Sequence, residues 1–496
     1  MTTINPFSAA ESALFTTQQL LGVVAENVGN SQNSNFTQLN ATTSNPDPQA
    51  QGFTKVTVTR AVNQTLHNEV LSQTTASGNA AYVNQFYAQL DALSGSNTTS
   101  PVLSTAVTQL ANAFQAFQSQ PENQTAQSQV LSAAQNLVQQ VQTLTSGITS
   151  LRSQTQSGVT GDVKTLNSAL TQLQTLNNQI VSTRAAGGSS VDEENQRDQL
   201  IAQVAKLAPI RQQQNNDGTT YLYTPDGVTL LDQTASQFGF DPSTSAPGQT
   251  SIAGEPTSGV LYLTTDPNNT AINGSFSGGE IGAQLNILRA DTSAIQSTDP
   301  SMAPLAKLQQ QLNAFVDLFY VAPPGAPTTF QAAYNNASPT NTNELASNLF
   351  VINTATPTSP NDANNFVVNP ALTSIVSPNA AIQTIKQSAA PAVTAVLGQS
   401  LTFGGGTTNL NATTGTLSQI ATIIAADQSS RSSAAHTAAT TAGTNLSTAQ
   451  TSYQAQSGVN LDQQLSLLVV LQNSYNAAAK IIGAVDKLQQ TLFAAV

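Results

Sequence analysis

Cysteine and tryptophan are absent from this 496-residue chain, and histidine occurs only at positions 67 and 436. Without cysteine there can be no disulfide, no thiolate metal site and no thiol nucleophile. Two solitary histidines leave little for zinc or general-base chemistry, and each is most simply a surface or interface residue. Charge is scarce as well. Only 8% of residues are Asp, Glu, Lys or Arg, where about 25% is usual. With 14 Lys and Arg against 26 Asp and Glu, the net charge is −12 and no basic cluster appears, which argues against binding a phosphate backbone. No apolar run of about 18 residues is present to cross a membrane. Lys55 is the first cation and the apolar residues before it are spaced, so a cleaved secretory signal is not expected. The chain is expected to be cytoplasmic, or to leave the cell by a route that cleaves no signal.

Gln, Asn, Ser, Thr and Ala take the place of the missing charge. Neutral amides and hydroxyls cost less to desolvate than ions do, so large subunit contacts are open to such a surface. The termini show where. Phe7, Ala10, Leu14, Thr17, Leu21, Val24 and Val28 recur at steps of three and four. Leu461, Leu465, Leu468, Leu471, Tyr475, Ala478, Ile482, Val485, Leu488, Leu492 and Val496 do nearly the same. A stripe of this period buries itself against another helix, and the nearest partner for each terminus is the other one. These seam residues are the candidate functional positions, and their work is assembly.

Between the termini the pattern alternates. A helix over 6–28 stops at Gly29-Asn30, and Phe53, Val56 and Val58 alternate as in an extended arm. From 80 to 208 the reading is helical, with stripes at Leu103–Phe117, Val130–Leu151 and Val163–Ile180. Gly187-Gly188 breaks it, and Asp192-Glu193-Glu194 open a helix to Leu207 with their charge at its positive end. After Pro209, the Asn216-Asp217-Gly218 and Pro225-Asp226-Gly227 turns separate short β-prone runs up to about residue 275. Leu305, Leu308, Leu312, Phe315 and Phe319 form another stripe, 321–385 is rich in Pro, Asn and Thr, and helix returns from about 414, interrupted near Gly458. The fold class is mainly α with β-rich insertions: paired terminal helices as a coiled coil (1–35 and 456–496), a helical bundle (36–209, 276–320 and 386–455) and a β-rich outer region (210–275 and 321–385).

Sharper chemistry is weakly supported. Asp192, Glu193, Glu194 and Asp198 read more simply as a charged first helical turn than as a metal site or a catalytic carboxylate pair, with Arg197 pairing inside the helix for tenths of a kcal/mol. Gly404-Gly405-Gly406 has no Gly-Lys-Ser/Thr after it and reads as a flexible connection. No Gly-x-Ser-x-Gly elbow occurs. No catalytic residue, metal ligand or cofactor is expected.

Ser457-Gly458-Val459-Asn460-Leu461-Asp462, then Tyr475-Asn476-Ala477-Ala478-Ala479-Lys480-Ile481-Ile482 and Leu488-Gln489-Gln490-Thr491-Leu492, resemble the end of flagellar rod, hook and hook-associated proteins, and most of all the hook-associated protein 1 family. Asn27-Val28-Gly29-Asn30 through Asn35-Phe36-Thr37 is similar to the N-terminal segment of that family, departing from it at Ser34, Asn35 and Phe36. Asn195-Gln196-Arg197-Asp198-Gln199-Leu200 and Gly278-Gly279-Glu280-Ile281-Gly282 match two internal segments. The resemblance implies a structural subunit stacked at the junction between hook and filament. It implies self-association in a ring, contact with the hook protein and a second junction protein, and export through the flagellar channel without signal cleavage. It also implies a cytoplasmic chaperone on the C-terminal helix. A hook or flagellin-like axial subunit, and a secreted enzyme that trims cell-wall polymer on a flagellar scaffold, are the alternatives.

Overall fold

The computed structural model describes residues 6–495 apart from 34–35, 45–54, 96–101, 244–257, 291–296, 321–327, 339–343, 345–347, 353–361, 373–383, 404–409 and 411–412. Phe53, the Ser34-Asn35 part of the departing turn, the Gly404–Gly406 run, Val496 and the side chain of Leu492 lie outside the described residues.

Helix α1 (Pro6–Gly29) begins on a proline, whose missing N–H costs nothing in a first turn. Strands β1 (Leu39–Ser44) and β2 (Lys55–Arg60) pair antiparallel from Leu39 opposite Arg60 to Ser44 opposite Lys55. Four helices follow: α2 (Gln64–Ser94), α3 (Val102–Ser119), α4 (Gln124–Ala185) and α5 (Val191–Leu207). Helix α4 runs unbroken for 62 residues, about 90 Å at the α-helical rise. Strands β3 (Arg211–Gln214), β4 (Thr220–Tyr223) and β5 (Thr229–Leu231) form an antiparallel meander. Its turns carry Gly218 and Gly227 at φ +92° and +90°, a backbone that side chains with a Cβ rarely adopt.

Strands β6 (Phe238–Asp241) and β7 (Val260–Leu263) make a two-stranded sheet. Beyond them lie α6 (Gly279–Leu288), α7 (Pro304–Tyr320), α8 (Phe330–Asn336), β8 (Phe350–Ile352), α9 (Asp362–Asn365), β9 (Phe366–Val368), α10 (Ala390–Leu397), β10 (Leu401–Phe403) and β11 (Thr413–Gly415). Two long helices end the chain, α11 (Leu417–Ser457) and α12 (Leu461–Ala495). The helical stripes expected from the sequence are therefore present. The first half of α2 is an addition: Gln64–Ser77 is rich in Thr, Ser and Gln and shows no clear stripe, yet it is helical.

The chain divides into two compact units. One holds 1–76, 166–236 and 442–496, the other 77–165 and 237–441. The second unit has the larger apolar core. Leu103, Val107, Leu110, Phe114 and Phe117 of α3, Val130, Leu137 and Val141 of α4, and Leu308, Leu312, Phe315 and Phe319 of α7 are all buried in it. The Phe319 ring stands 5.4, 5.4 and 5.5 Å from the rings of Phe330, Phe350 and Phe366. Those three phenylalanines come from the Pro- and Asn-rich stretch 321–385, whose isolated aromatics are thus core anchors, each such ring pair adding about 0.5–1.5 kcal/mol to simple burial. Lys386 closes the end of α8, its ammonium donating to the carbonyls of Tyr334, Asn335 and Ala337 at 3.3, 3.2 and 2.9 Å.

Candidate functional site

The first unit holds the terminal helices. α1 and α12 pair along their length. Asn27 near the end of α1 meets Gln464 in the first turn of α12, so the two run antiparallel. Ala10, Thr17 and Val24 are buried on α1, seven residues apart, and Gln464, Leu471 and Ala478 on α12 at the same spacing. Leu14, Leu21 and Val28 flank the α1 stripe, and Leu468, Tyr475, Ile482 and Val485 that of α12, all partly buried. The seam on α12 is therefore 464, 468, 471, 475, 478, 482 and 485.

Four of the seam residues expected from sequence lie elsewhere. Leu461, Leu465 and Leu488 are exposed, as is Phe7 on α1. Leu461 and Leu465 are off the seam because Gln464, a polar residue, occupies it. Counting outward from the Asn27–Gln464 contact, Pro6 falls opposite Val485, so Leu488 extends past the first described residue of α1.

Asn27 is 1% exposed, and its amide does the work of a neighbouring strand. Its Oδ1 accepts from the Leu39 N–H at 2.9 Å, and its Nδ2 donates to the Leu39 carbonyl at 2.9 Å and to Gln464 Oε1 at 3.2 Å. One side chain thereby fastens α1, β1 and α12 together. The end of α11 is stitched to the same region. The Gln38 N–H donates to the Ser457 carbonyl at 2.8 Å, the Asn63 N–H to Ser457 Oγ at 3.0 Å, and the Thr37 and Tyr453 hydroxyls lie 3.0 Å apart. Phe36, Leu39 and Val191 form the small apolar cluster beneath, with Val23, Val58 and Val459 against it.

Beside this cluster lies a buried ion network. Arg60, at the end of β2, reaches Asp198 of α5 at 2.6 Å and stands 3.9 Å from Glu194. Arg184 near the end of α4 meets Glu194 at 2.7 Å, and Arg197 lies 3.3 Å from Asp198 while donating to the Gly218 carbonyl at 2.8 Å. Ser190 gives its hydroxyl to Glu194 at 2.7 Å and makes no side-chain cap to the α5 backbone. A Cβ at Gly218 would collide with the Arg184 guanidinium, so this turn needs glycine for space as well as for φ. The acidic turn read from sequence is thus divided. Asp192 faces solvent, where the helix dipole suffices, whereas Glu194 and Asp198 face cations from two other elements. Arg60 and Arg184 carried no local signal, because their partners are far away in sequence.

His67 of α2 packs against Tyr453, ring centroids 5.6 Å apart. Burial pushes its pKa below 6.5, Asp198 pulls it back, and Arg60 and Arg197 push it down again. A folded value below the unfolded one favours the neutral imidazole. The corresponding stability is present above pH 6.5 and is lost as pH falls through the folded value. Thermal unfolding at pH 7 and pH 5 is expected to show a larger drop in Tm for the wild type than for His67→Gln. Equal drops would mean that His67 does not titrate on unfolding.

Among the described residues no cluster of three His, Asp or Glu side chains is arranged to hold a metal, and no helix is long and apolar enough to cross a membrane. What this unit offers is a paired helix surface on a polar anchor.

Comparison with known proteins bears on that surface. The family model described as the flagellar hook-associated protein FlgK helical domain matches residues 87–317. That for the flagellar basal body rod FlgEFG protein C-terminal segment matches residues 450–494, which include most of α12. Flagellar hook-associated protein 1 of Salmonella typhimurium and that of Salmonella typhi are each 29% identical over 143 residues, covering 28% of this chain and 26% of theirs. The match thus spans about a quarter of the length of these relatives. The flagellar hook junction protein FlgK from Burkholderia pseudomallei superposes with a TM-score of 0.45 at 21% identity, over 57% of this chain and 46% of that one.

Proposed function

We infer the role of the chain from one premise: it belongs to the flagellar hook-associated protein 1 family, a family of structural flagellar proteins and not of enzymes. We propose that it forms the junction between hook and filament by helical self-assembly through its terminal helices.

One observation carries this reading. Helix α12 has a second heptad stripe that α1 leaves uncovered. Leu467, Val470, Ser474, Ala477, Ile481, Ala484 and Leu488 follow one another at steps of three and four, each one place before a seam residue or its heptad equivalent. That offset turns the stripe by roughly 100° from the seam. Leu467, Val470, Ile481 and Leu488 remain 44%, 58%, 48% and 69% exposed. A helix with two adjacent apolar stripes packs against two neighbours, as in bundles of more than two helices. The first neighbour is α1, and the second is a terminal helix of another copy.

On this reading residues 1–35 and 456–496 form the inner layer, with the helical bundle and then the β-rich segments outside it. Hook protein adjoins one end of the ring and a second hook-associated protein the other. The subunit reaches this place outside the cell through the flagellar export apparatus without signal cleavage. A cytoplasmic chaperone covers the two stripes of α12 beforehand, since exposed apolar surface of this extent invites aggregation.

Immunogold labelling of purified intact flagella, with antibody against this protein, tests the placement. A single band between hook and filament is expected. Label along the whole hook or filament would make the chain a hook or flagellin-like axial subunit, and unlabelled flagella would end the proposal.

A further inference from the structure

Arg60, His67 and Asp198 separate two cavities of the first unit, of about 510 and 440 Å³. The larger is polar and cationic. Thr57 and Thr59 of β2, Gln212 and Gln214 of β3, and the Gly188–Ser190 loop contribute to its walls. Three of the 14 Lys and Arg in this acidic chain line it, namely Arg60, Arg184 and Arg197, against two carboxylates, Glu194 and Asp198. One positive charge is therefore left over with His67 neutral. In a chain of net charge −12 that is a local reversal.

Two buried polar atoms here have no partner among the described residues, Arg60 Nε and His67 Nε2. The Arg60 side chain is 5% exposed and His67 9%, so bulk water does little for either. An unfilled donor on a buried guanidinium is destabilising unless something accepts from it. The ion network uses the Nη atoms of Arg60, on Asp198, Glu194 and Thr37, and leaves Nε over. Nothing in the pairing of α1 with α12 requires this cavity or its charge.

We propose that the larger cavity is a carboxylate-binding site, with Arg60 and His67 in its wall, where Arg60 Nε and His67 Nε2 lack partners, and Arg184 at its rim. With His67 neutral, the single excess positive charge matches a monoanion. Arg184 is 39% exposed and is the natural first contact for an entering anion. The bound carboxylate accepts from Arg60 Nε and favours a proton on His67 Nε2, which then donates as well. Binding is therefore linked to proton uptake at His67 and tightens as pH falls. The carboxylate comes either from a small free acid or from an Asp or Glu side chain on an inserted peptide.

The chain has two histidines, so histidine-selective ¹³C labelling gives two imidazole signals. The full-length protein is titrated with sodium acetate, and separately with N-acetyl-Gly-Glu-Gly-amide, in a carboxylate-free buffer at constant ionic strength. Acetate is expected to shift the His67 signal saturably and to raise the pH at which it titrates, while the exposed His436 reports only bulk change. Arg184→Gln should weaken the apparent affinity about tenfold. Arg60→Gln should abolish the response, and if that variant does not fold, Arg184→Gln carries the test. A response to the peptide alone assigns the site to a chain carboxylate. No saturable shift at His67 with either probe, or equal drift at both histidines, overturns the proposal and leaves the cavity to water.

Discussion

Replacing Asp198 with alanine is expected to destabilise the first unit by about 3 kcal/mol, near the low end for a broken buried ion pair. Asp198 is the acceptor between two guanidiniums, 2.6 Å from Arg60 and 3.3 Å from Arg197, and both arginine side chains are 5% exposed. Without it the two cations repel across a poorly solvated gap. Arg197 keeps the Gly218 carbonyl, and Arg60 keeps Thr37 and the more distant Glu194, which holds the cost below the upper end of the range. Burial alone would raise the Asp198 pKa, but Arg60, Arg197 and His67 together hold it below 3.8. The contribution of the carboxylate is therefore complete above that pH and is lost as pH falls through the lowered value. Hydrogen exchange is the measurement. Amides of α5 and β2 should exchange faster by about two powers of ten, while those of the α3 and α7 core, in the other unit, hold their rates. Unchanged protection in α5 would show the network to be dispensable.

Charge on the uncovered stripe of α12 is expected to have the larger biological effect. Val470→Asp with Ile481→Asp puts two carboxylates where the side chains are 58% and 48% exposed in the single chain. Surface substitutions of this kind change stability by about 0.5 kcal/mol or less, so the melting curve of the monomer should stay within a degree or two of wild type. In the proposed assembly the same positions would be buried, and two unpaired charges there would cost several kcal/mol each. Incorporation into flagella should fall by more than about 100-fold, with filament protein released into the medium. Leu471→Asp is the contrasting variant, because Leu471 is buried against α1 and its charge should unfold the helix pair itself. If the double variant incorporates normally, the second stripe is not an assembly surface.

The sequence was legible where a pattern is local. Three-and-four spacing marked α1, α3, α4, α7 and α12 because each stripe is contained in its own helix. It was ambiguous where two stripes share a helix: Leu461, Leu465 and Leu488 are apolar and regularly spaced, but the seam was decided by Gln464, whose amide has a partner 437 residues away. The buried network was illegible for the same reason. Glu194 looks like an ordinary first-turn acid and Asp198 like an ordinary helix acid until Arg60 is brought from β2 and Arg184 from α4. Asn27, quoted only as part of a family-like segment, turned out to be the clamp on Leu39. No periodicity reports a side chain that imitates a strand.

The Asn27 clamp also sets an order of events. The first unit is built from three separate stretches, 1–76, 166–236 and 442–496, and its central amide pair closes across nearly the whole chain. The second unit, 77–165 and 237–441, includes no residue beyond 441. On a growing or threading polypeptide the aromatic core can therefore settle while the terminal helices still lack each other. Contacts of such separation form late, since the loop between them must be closed first. The paired terminal helices are thus the last part to mature, and a chain cut short anywhere before Gln464 is left with an N-terminal helix that has nothing to zip onto.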